Sequence, residues 1–222
     1  MCMKKISIVY EDKEIIVVNK ESGILTVSTA KEQVNTLYRM VSSYVKKSNP
    51  KAKIYIVHRL DKETSGIVVF AKNKDIKLLL QNDWDNLVKK RGYVAIVDGV
   101  VDKEKGTIKS YLKETKTLLV YSTNDKSGKI AITKYRKVFS NKKFSLLDIE
   151  IKTGRKNQIR VHMKDIGHII LGDKKYGSLK NPIRRLCLHA NILEIIHPRT
   201  KKLMHFETDI PDSFIKIMNN NS

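Results

Sequence analysis

Residues 58–72 read HRLDKETSGIVVFAK, and the two parts of this stretch differ in character. Residues 67–71 are apolar and rich in β-branched side chains, which predicts a buried β-strand. The residues before them, as far as Gly66, place basic, acidic and hydroxyl side chains in one short loop. A polar loop that leads into a central strand is a common place for chemistry, because the strand fixes what the loop presents. Asp61 in this loop is therefore a candidate catalytic residue, with an ordinary charged turn as the alternative.

The charge of the chain points to a polyanionic partner. Its 222 residues contain 44 Lys and Arg against 23 Asp and Glu, a formal net charge of +21 at pH 7. An excess of this size attracts polyanions whatever the fold. Nucleic acid is favoured over a membrane as the partner, since no apolar run approaches the ~18 residues needed to span a bilayer. A basic protein whose lysines only solvate its surface is the alternative.

The composition predicts one globular domain over residues 1–222, with neither a disulfide nor a metal site. The chain is 41% hydrophobic, which is enough for a substantial core, and no repeat, low-complexity tract or linker marks a boundary. Cys2 and Cys187 are far apart and lack the spacing of zinc ligands. The first residues lack an apolar signal segment, so a cytoplasmic protein is predicted.

The segments around residues 58–72 have the periodicities of short strands and amphipathic helices. Residues 6–10 and 15–19 are β-branched runs on either side of a charged turn and predict a β-hairpin. Apolar residues at helical spacing predict a helix that ends at Asn49-Pro50: Leu37, Met40, Val41, Tyr44 and Val45. A second helix is predicted between Asp75 and Lys89, with four apolar residues on its buried face: Ile76, Leu79, Leu80 and Trp84.

Residues 91–99 read RGYVAIVDG and predict a strand that carries Tyr93, Ala95 and Val97 on one face. Cross-strand packing is the alternative to a binding role for Tyr93. Several short strands with lysine-rich connections are predicted in residues 106–138. Their lysines, each of which could simply be solvated, together predict a rim that contacts phosphates: Lys113, Lys116, Lys126, Lys129 and Lys134.

Residues 152–162 read KTGRKNQIRVH and follow a predicted strand at residues 144–151. They are expected to turn sharply into a helix that Thr153 could cap and Gly167 ends. Arg155, Lys156 and Arg160 near the start of this helix oppose its macrodipole. We therefore expect anions nearby, either phosphates or carboxylates.

Taken in order, these segments resemble the RluA-type RNA pseudouridine synthases over residues 6–214. The resemblance is carried by His-Arg-Leu-Asp-x-x-Thr-Ser-Gly at residues 58–66 and by Tyr-x-Ala-x-Val-x-Gly at residues 93–99. Gly-Asp-x-x-Tyr-Gly at residues 172–177 and Leu-His-Ala at residues 188–190 match further motifs of the family. The family's Thr-Gly-Arg-Thr-His-Gln-Ile-Arg matches residues 153–160, where Lys156 and Asn157 replace the threonine and histidine. Glu21 stands where the family's opening turn usually has proline.

The resemblance implies an α+β fold with a mixed, mainly antiparallel, bent central sheet flanked by helices and loops. It implies an isomerase that breaks the N1–C1′ bond of uridine, turns the base and reattaches it through C5. Neither a redox cofactor nor an energy source is needed for an isomerisation, so no cofactor is expected. Structured RNA, ribosomal or transfer, is the expected partner of a monomeric enzyme, and no small RNA-binding domain is expected before the catalytic domain.

The resemblance also assigns roles to individual residues. Asp61 is the catalytic carboxylate, and Arg160 is the candidate partner that keeps it ionised, since an adjacent guanidinium lowers the pKa of a carboxyl group. Tyr93 stacks on the target base, and Arg59 occupies the gap left by the extruded nucleotide. Three further basic residues are expected to bind RNA: His58, Arg155 and Lys156. For His189, whatever the resemblance, the expected role is that of a satisfied, partly buried structural histidine.

Two other functions fit parts of the sequence. A basic RNA-binding protein of the same fold without catalysis would explain the charge, and the presence of Asp61 disfavours it. A hydrolase with paired carboxylates at Asp61 and Glu63 is disfavoured, because two carboxylates must flank a sugar at a set separation. Neighbours two residues apart in one loop are poorly placed for that.

Overall fold

The computed structural model describes residues 6–29 and 33–219, and the chain folds into two compact units. Unit 1 contains the described residues up to Lys89 together with Ala190–Thr208. Unit 2 contains Lys90–His189 and the described residues from Asp209 onward. Both units combine antiparallel strands with helices, so the predicted α+β class is confirmed. The single domain over residues 1–222 stays a prediction.

The predicted hairpin and the strand after the polar loop form the sheet of unit 1. The first two strands pair antiparallel, and the fourth pairs antiparallel with the second. A short third strand also pairs with the fourth, and the last two strands of the chain form a hairpin. The strands are β1 (Ser7–Glu11), β2 (Ile15–Lys20), β3 (Tyr55–Ile56), β4 (Ser65–Ala71), β10 (Leu188–Ile196, in this unit from Ala190) and β11 (Leu203–Glu207). Every residue of β4 is buried, as its apolar run predicts.

The helices of unit 1 follow the predicted periodicity with two differences. Helix α1 (Leu37–Ser48) buries Leu37, Val41 and Val45, but Tyr44 is exposed, since the buried stripe centres on Val41. The predicted second helix is two helices, α2 (Lys74–Asn82) and α3 (Trp84–Leu87). Asp83 lies between them with a non-helical backbone and ends the first helix. Ile76 and Leu80 are buried, whereas Leu79 and Trp84 are only partly buried.

Unit 2 is built on five antiparallel strands: β5 (Val88–Asp98, in this unit from Lys90), β6 (Lys105–Glu114), β7 (Val120–Thr123), β8 (Lys129–Ser140) and β9 (Phe144–Ile151). Their order in the sheet is β5-β9-β8-β6-β7. Helix α4 (Gln158–Asp165), a 3-10 turn at Lys174–Tyr176 and helix α5 (Asp212–Asn219) complete the unit. The largest buried apolar side chains of its core come from the strands, the helices and the segment after α4: Ile96, Leu147, Met163, Ile170, Leu171 and Phe214.

Cys187 belongs to the apolar core of unit 2. Cys187 is buried and not in a disulfide, and Cys2 lies outside the described residues. Burial raises the pKa of the Cys187 thiol to about 12, so it is protonated at neutral pH. Within residues 6–29 and 33–219, no helix has both the length and the apolar character needed to cross a membrane.

Candidate active site

The loop that carries Asp61 runs from the end of β3 to the start of β4, and its backbone is held on both sides of that residue. The Leu60 carbonyl accepts a hydrogen bond from Thr26 Oγ1 at 2.9 Å. On the other side, the Glu63 carbonyl accepts one from Ser22 Oγ at 2.6 Å. The Asp61 carbonyl itself accepts a bond from the Thr64 backbone N–H at 3.2 Å. The loop therefore has a fixed path, although it is irregular.

Lys20, the last residue of β2, is the central support of this loop. Only 1% of the lysine is exposed. Its ammonium group donates to the carbonyls of Glu21 at 3.0 Å, Ile24 at 2.8 Å and Lys62 at 3.0 Å. A buried ammonium group is tolerated only when its donors are satisfied, and three carbonyl oxygens satisfy it here. Lys20 thereby ties the turn after β2 to the residue that follows Asp61.

Gly66, the second residue of β4, stands directly after the loop at a position where a side chain does not fit. Its φ is +121°, a backbone conformation that L side chains rarely adopt. A Cβ atom there would lie 2.2 Å from the carbonyl oxygen of Ala190 and 2.6 Å from its nitrogen. The glycine of the predicted motif is thus required by both conformation and close backbone approach.

His58 and Arg59, predicted RNA contacts at the start of the loop, differ in their surroundings. His58 Nε2 accepts a hydrogen bond from the Val69 backbone N–H at 3.0 Å, and its ring lies 4.9 Å from that of Trp84. These contacts are structural, because they fix the loop against β4. Arg59 is exposed. The RNA-binding role of His58 stays a prediction, and so does the substrate-binding role of Arg59.

Tyr93 lies on β5, opposite Ile149 of β9. It is partly buried, while its strand neighbours Val94 and Ala95 are fully buried. Part of the ring is therefore accessible within a packed strand. Stacking on the target base is compatible with this position and stays a prediction.

Arg160 on α4 belongs to a buried polar cluster in unit 2. Its guanidinium donates from Nε to Asp173 Oδ2 at 2.8 Å and from Nη2 to Asp173 Oδ1 at 2.6 Å. The side chains of Arg160 and Asp173 are 10% and 0% exposed. The guanidinium also lies 5.2 Å from the centre of the Tyr176 ring. The predicted pairing of Arg160 with Asp61, which lies in unit 1, stays a prediction.

Asn157, which replaces the family's usual histidine, has a conformational role in this cluster. It precedes α4 with a φ of +53°, and asparagine tolerates this left-handed conformation better than most residues. Its side-chain amide donates to Tyr176 Oη at 3.1 Å and accepts from Arg160 Nη1 at 3.3 Å. The prediction that Thr153 caps α4 is wrong, because Asn157 is the residue at that position. The Thr153 hydroxyl donates instead to Gln158 Oε1 at 2.8 Å.

A chain of hydrogen bonds between side chains connects α4 to three strands of unit 2. From Gln158 Nε2 it passes to Thr133 Oγ1 at 2.9 Å and on to His162 Nδ1 at 2.8 Å. From His162 Nε2 it continues to Ser110 Oγ at 3.0 Å, to Ser122 Oγ at 3.0 Å and to the Asp165 carboxylate. The Asp165 carboxylate only accepts, so Ser122 donates to it, Ser110 donates to Ser122, and His162 donates from Nε2 to Ser110. His162 therefore carries a proton on Nε2.

Burial keeps His162 neutral although the Asp165 carboxylate acts in the opposite direction on its pKa, so Nδ1 accepts from the Thr133 hydroxyl. The side chain is fully buried, and desolvation lowers its pKa to about 4. Burial likewise lowers the pKa of His189 to about 4. The structural role predicted for His189 is compatible with this neutral, buried state. The sequence reasoning missed His162, although it lies two residues after Arg160 in a motif that was recognised.

Arg155 and Lys156, the other predicted RNA contacts, are exposed at the loop before α4. Arg155 Nε donates to the Ile130 carbonyl at 3.0 Å, and Lys156 forms an ion pair with Glu114. Both are therefore partly engaged by strands of unit 2, and their RNA-binding role stays a prediction. Among residues 6–29 and 33–219, no three His, Cys, Asp or Glu side chains are grouped so that they could hold a metal ion.

The sequence reasoning also missed Asp173 and Tyr176 as partners of Arg160. Both belong to Gly-Asp-x-x-Tyr-Gly at residues 172–177, a turn that was recognised without a role. They could have been identified from the requirement that a buried charge has a partner of opposite charge. A basic residue in the buried part of a helix needs a carboxylate nearby.

Comparison with known proteins gives consistent results. The family model described as RNA pseudouridylate synthase matches residues 14–165. Ribosomal large subunit pseudouridine synthase D of Haemophilus influenzae is 31% identical over 96% of this chain and 70% of its own length. The tRNA pseudouridine synthase C of Haemophilus ducreyi is 32% identical over 88% of this chain and 87% of its own length.

The solved structure of human RNA pseudouridylate synthase domain containing 4 has a similar fold. It superposes with a TM-score of 0.77 at 22% identity, over 94% of this chain and 90% of that one. At this identity the likeness concerns the fold alone, and it agrees with the α+β class and mainly antiparallel pairing described above.

Proposed function

The chain belongs to the RNA pseudouridylate synthase family, and on that premise we propose that Asp61 is the carboxylate with which it isomerises uridine in ribosomal or transfer RNA. The observation that carries the proposal is the way in which the loop is held. Hydrogen bonds to the carbonyls of Leu60, Lys62 and Glu63 fix the main chain on both sides of Asp61. Such preorganisation is what a catalytic side chain on a loop requires.

The reaction needs an ionised carboxylate at the sugar or the base. The N1–C1′ bond breaks, the base turns, C1′ bonds to C5, and the proton lost from C5 is balanced by the one gained at N1. A carboxylate can attack C1′, add to C6 or assist elimination at the sugar, and each route uses a carboxylate fixed beside the nucleotide. Asp61 is the residue of this chain that matches the catalytic position of the family motif.

Four further roles complete the proposal. Tyr93 stacks on the target base and Arg160 binds the substrate, the latter with its guanidinium held in place by Asp173. Arg59 fills the gap left by the extruded nucleotide, and the exposed Arg155 and Lys156 contact phosphates. We propose a monomer that acts in the cytoplasm. The RNA class is suggested by the names of two relatives, a ribosomal large subunit synthase and a tRNA synthase of pseudouridine.

Replacement of Asp61 by Asn tests the proposal. It removes the negative charge while keeping the shape, so folding and RNA binding should persist while pseudouridine formation falls by roughly 10²–10⁴-fold or more. The measurement is tritium release from cellular RNA labelled at C5 of uridine, together with RNA binding by the same protein. The matched control is Glu63→Gln, an exposed carboxylate two residues away, which should keep its activity. Substantial turnover by Asp61→Asn would reject Asp61 as the catalytic residue.

The same experiment separates the alternative, an RNA-binding protein of this fold without catalysis. That protein would bind RNA and release no tritium even with Asp61 present. Active wild-type protein together with an inactive, RNA-binding Asp61→Asn variant is the result expected here.

A further inference from the structure

Strands β6, β7 and β8 of unit 2 have one exposed face, which carries basic and aromatic side chains. Alternate residues of a strand point to opposite faces. On β6, Ser110 and Leu112 belong to the face that meets α4, where Ser110 bonds His162 and Leu112 packs with Val161. Lys109, Tyr111 and Lys113 therefore point to the other face. Lys109 is exposed and the other two are partly exposed.

The pairing of β6 with its neighbours extends this face. Lys105 lies opposite Arg136 on β8, and Thr107 lies opposite Lys134. Lys113 lies opposite Tyr121 on β7, the edge strand of this sheet. We name these side chains the β6–β8 face: Lys105, Thr107, Lys109, Tyr111, Lys113, Tyr121, Thr123, Ile130, Ile132, Lys134 and Arg136. The named face contains five basic residues, and on the neighbouring strand β9 Glu150 and Asp148 lie opposite Lys134 and Arg136.

Some of this positive charge is neutralised and some is not. Lys113 forms an ion pair with Asp125, and Arg136 forms one with Asp148. Within residues 6–29 and 33–219, Lys105, Lys109 and Lys134 have no ion pair. Lysines without an ion pair on two adjacent strands are suited to contact the phosphates of a nucleic acid strand.

The two tyrosines are what distinguish this face from a solvated lysine surface. Tyr121 is 42% exposed, and Tyr111 lies between Lys109 and Lys113 on the same strand. A tyrosine ring on an open antiparallel sheet, next to basic side chains, is the arrangement that stacks bases in sheet-based RNA-binding proteins. Hydrophobic burial does not explain Tyr121, because the apolar core of this region lies on the opposite face.

We propose that the β6–β8 face is a second RNA-binding surface, which stacks unpaired bases on Tyr111 and Tyr121 and binds their phosphates through Lys105, Lys109 and Lys134. This proposal rests on the proposed function, since it takes RNA as the substrate. The face is turned away from α4, which carries Arg160. It therefore binds nucleotides other than the target uridine, and it contributes to affinity and choice of RNA, not to chemistry.

The stacking part of the proposal is tested with Tyr111→Leu and Tyr121→Leu, each compared with the Phe variant at the same position. The probe is a fluorescein-labelled oligouridylate of about 12 nucleotides, with binding followed by anisotropy and folding checked by circular dichroism. The Leu variants should bind at least ~5-fold more weakly, while the Phe variants keep their affinity. The control is Tyr44→Leu on α1, another exposed tyrosine, which should have no effect. Equal affinity of the Leu variants and wild-type protein would overturn the proposal.

The charge part is tested with Lys105, Lys109 and Lys134 all changed to Gln. For single-stranded RNA the slope of log affinity against log salt should become shallower by up to ~0.7 for each lost phosphate contact. The control removes the same charge from α1 and its C-terminal turn with Lys46, Lys47 and Lys51 changed to Gln. An equal change in both triple variants would mean that net charge alone acts, and would overturn the proposal.

Two further results separate this inference from its alternatives. Anionic phosphatidylglycerol vesicles should bind wild-type protein and the tyrosine variants alike, and vesicle binding that depends on Tyr121 would favour a membrane and overturn the proposal. The experiments on the β6–β8 face measure binding and not turnover. If Asp61→Asn still turned over RNA, the catalytic assignment would be rejected, and the binding results for the β6–β8 face would be unaffected. Unchanged binding by the tyrosine variants would reject only the β6–β8 face.

Discussion

The loop of Asp61 in unit 1 and the cluster of Arg160 in unit 2 hold a charged residue in place by different means. In the loop, the hydrogen bonds act on main-chain carbonyls on either side of Asp61, and the donors are the side chains of Lys20, Ser22 and Thr26. In the cluster, the bonds act on the guanidinium of Arg160 itself, through Asp173 and Asn157. The first arrangement fixes the path of the chain, and the second fixes a side chain.

This difference determines how each region responds to substitution. In the loop, removal of a donor side chain leaves neutral carbonyl groups without a partner and no charge unpaired. A buried ion pair behaves differently, because removal of one partner leaves an uncompensated charge away from water. We therefore expect substitutions in the cluster to lower the free energy of unfolding more than substitutions in the loop. Substitutions in the loop should lower activity more than they lower stability.

The largest effect on stability is expected for Arg160→Met. It leaves the fully buried Asp173 carboxylate without its guanidinium, which costs about 3–5 kcal/mol in comparable buried pairs. The double variant Arg160→Met with Asp173→Asn should regain part of this stability, since the amide needs no counter-charge. Urea unfolding of the two single variants and the double variant measures the coupling.

The matched control for this cycle is Arg136→Met. Arg136 also pairs with an aspartate, Asp148, but the side chains are 64% and 41% exposed. Loss of an exposed pair costs less than about 1 kcal/mol. If Arg160→Met were no more destabilising than Arg136→Met, or if the losses at Arg160 and Asp173 simply added, the buried pair would not be what supports this cluster.

These two regions also show what could be predicted from the sequence. The loop was predictable, because its polar residues, Gly66 and the apolar β4 are contiguous and carry a family motif. The helix of Arg160 was predictable for the same reason. Its partner Asp173 was not predictable. It is thirteen residues away in the sequence, and the fold of the segment between them decides which carboxylate meets the guanidinium. The hydrogen-bond chain of His162 was missed for this reason too, since Ser110 and Ser122 come from two other strands.

Errors at element boundaries have local causes. One helix was predicted where α2 and α3 occur, because the apolar spacing continues through the break. The cap at Asn157 was missed although asparagine is the better N-cap residue by type, and Thr153 was predicted in its place. A left-handed backbone at Asn157 is needed to start α4 after the sharp turn from β9, and only the three-dimensional path of the chain reveals that need.

The second largest effect is expected for Gly66→Ala, which tests how strictly the main chain of the loop is fixed. The new Cβ would meet the Ala190 carbonyl oxygen at 2.2 Å, and the φ of +121° is strained for alanine. Backbone atoms cannot move aside as a side-chain tip can, so a loss of more than ~3 kcal/mol is expected from strain and overlap together. Thermal and urea unfolding measure it.

Gly167→Ala provides the matched control, because it separates strain from overlap. Gly167 has a similarly unusual φ of +82°, but no heavy atom lies within 4 Å of the position that a Cβ atom would take there. Its replacement should cost only the ~1–2 kcal/mol of the left-handed backbone. Equal losses at the two glycines would show that the approach of Ala190 does not constrain the loop.

A smaller effect on stability, accompanied by a large effect on activity, is expected for Lys20→Met. The variant keeps much of the buried volume and removes the donor to three carbonyls, which costs about 1.5–3 kcal/mol for hydrogen bonds to a charged group. The turnover rate at saturating RNA should fall, since the loop is no longer tied at Lys62. Lys13→Met, an exposed lysine in the hairpin turn, is the control. Unchanged turnover in stable Lys20→Met would show that Lys20 supports the fold without positioning Asp61.

The smallest effect concerns pH, and it distinguishes His162 and His189 in unit 2 from His205 in unit 1. Burial lowers the pKa of His162 from 6.5 to about 4, so the folded protein keeps it neutral while the unfolded chain takes up a proton as the pH falls through 6.5. The unfolded state then binds more protons, and stability is lost progressively between pH 6.5 and pH 4. Near pH 5 the loss is about 2 kcal/mol for His162, and a similar loss is expected for His189. In unit 1, hydrogen bonds to Glu207 and Glu194 raise the pKa of His205. Protonation of His205 therefore favours the folded state as the pH falls.

The variant His162→Gln isolates this contribution. It is expected to be less stable than wild-type protein at pH 7, because the hydrogen-bond chain from Gln158 to Asp165 is interrupted, but to lose about 2 kcal/mol less between pH 7 and pH 5. His205→Gln should not reduce the acid-induced loss, since that histidine is exposed and favoured in its charged form. Urea unfolding at the two pH values gives both results. If wild-type protein and His162→Gln lost equal stability on acidification, His162 would not be held neutral, and the direction assigned to the hydrogen bonds around it would be wrong.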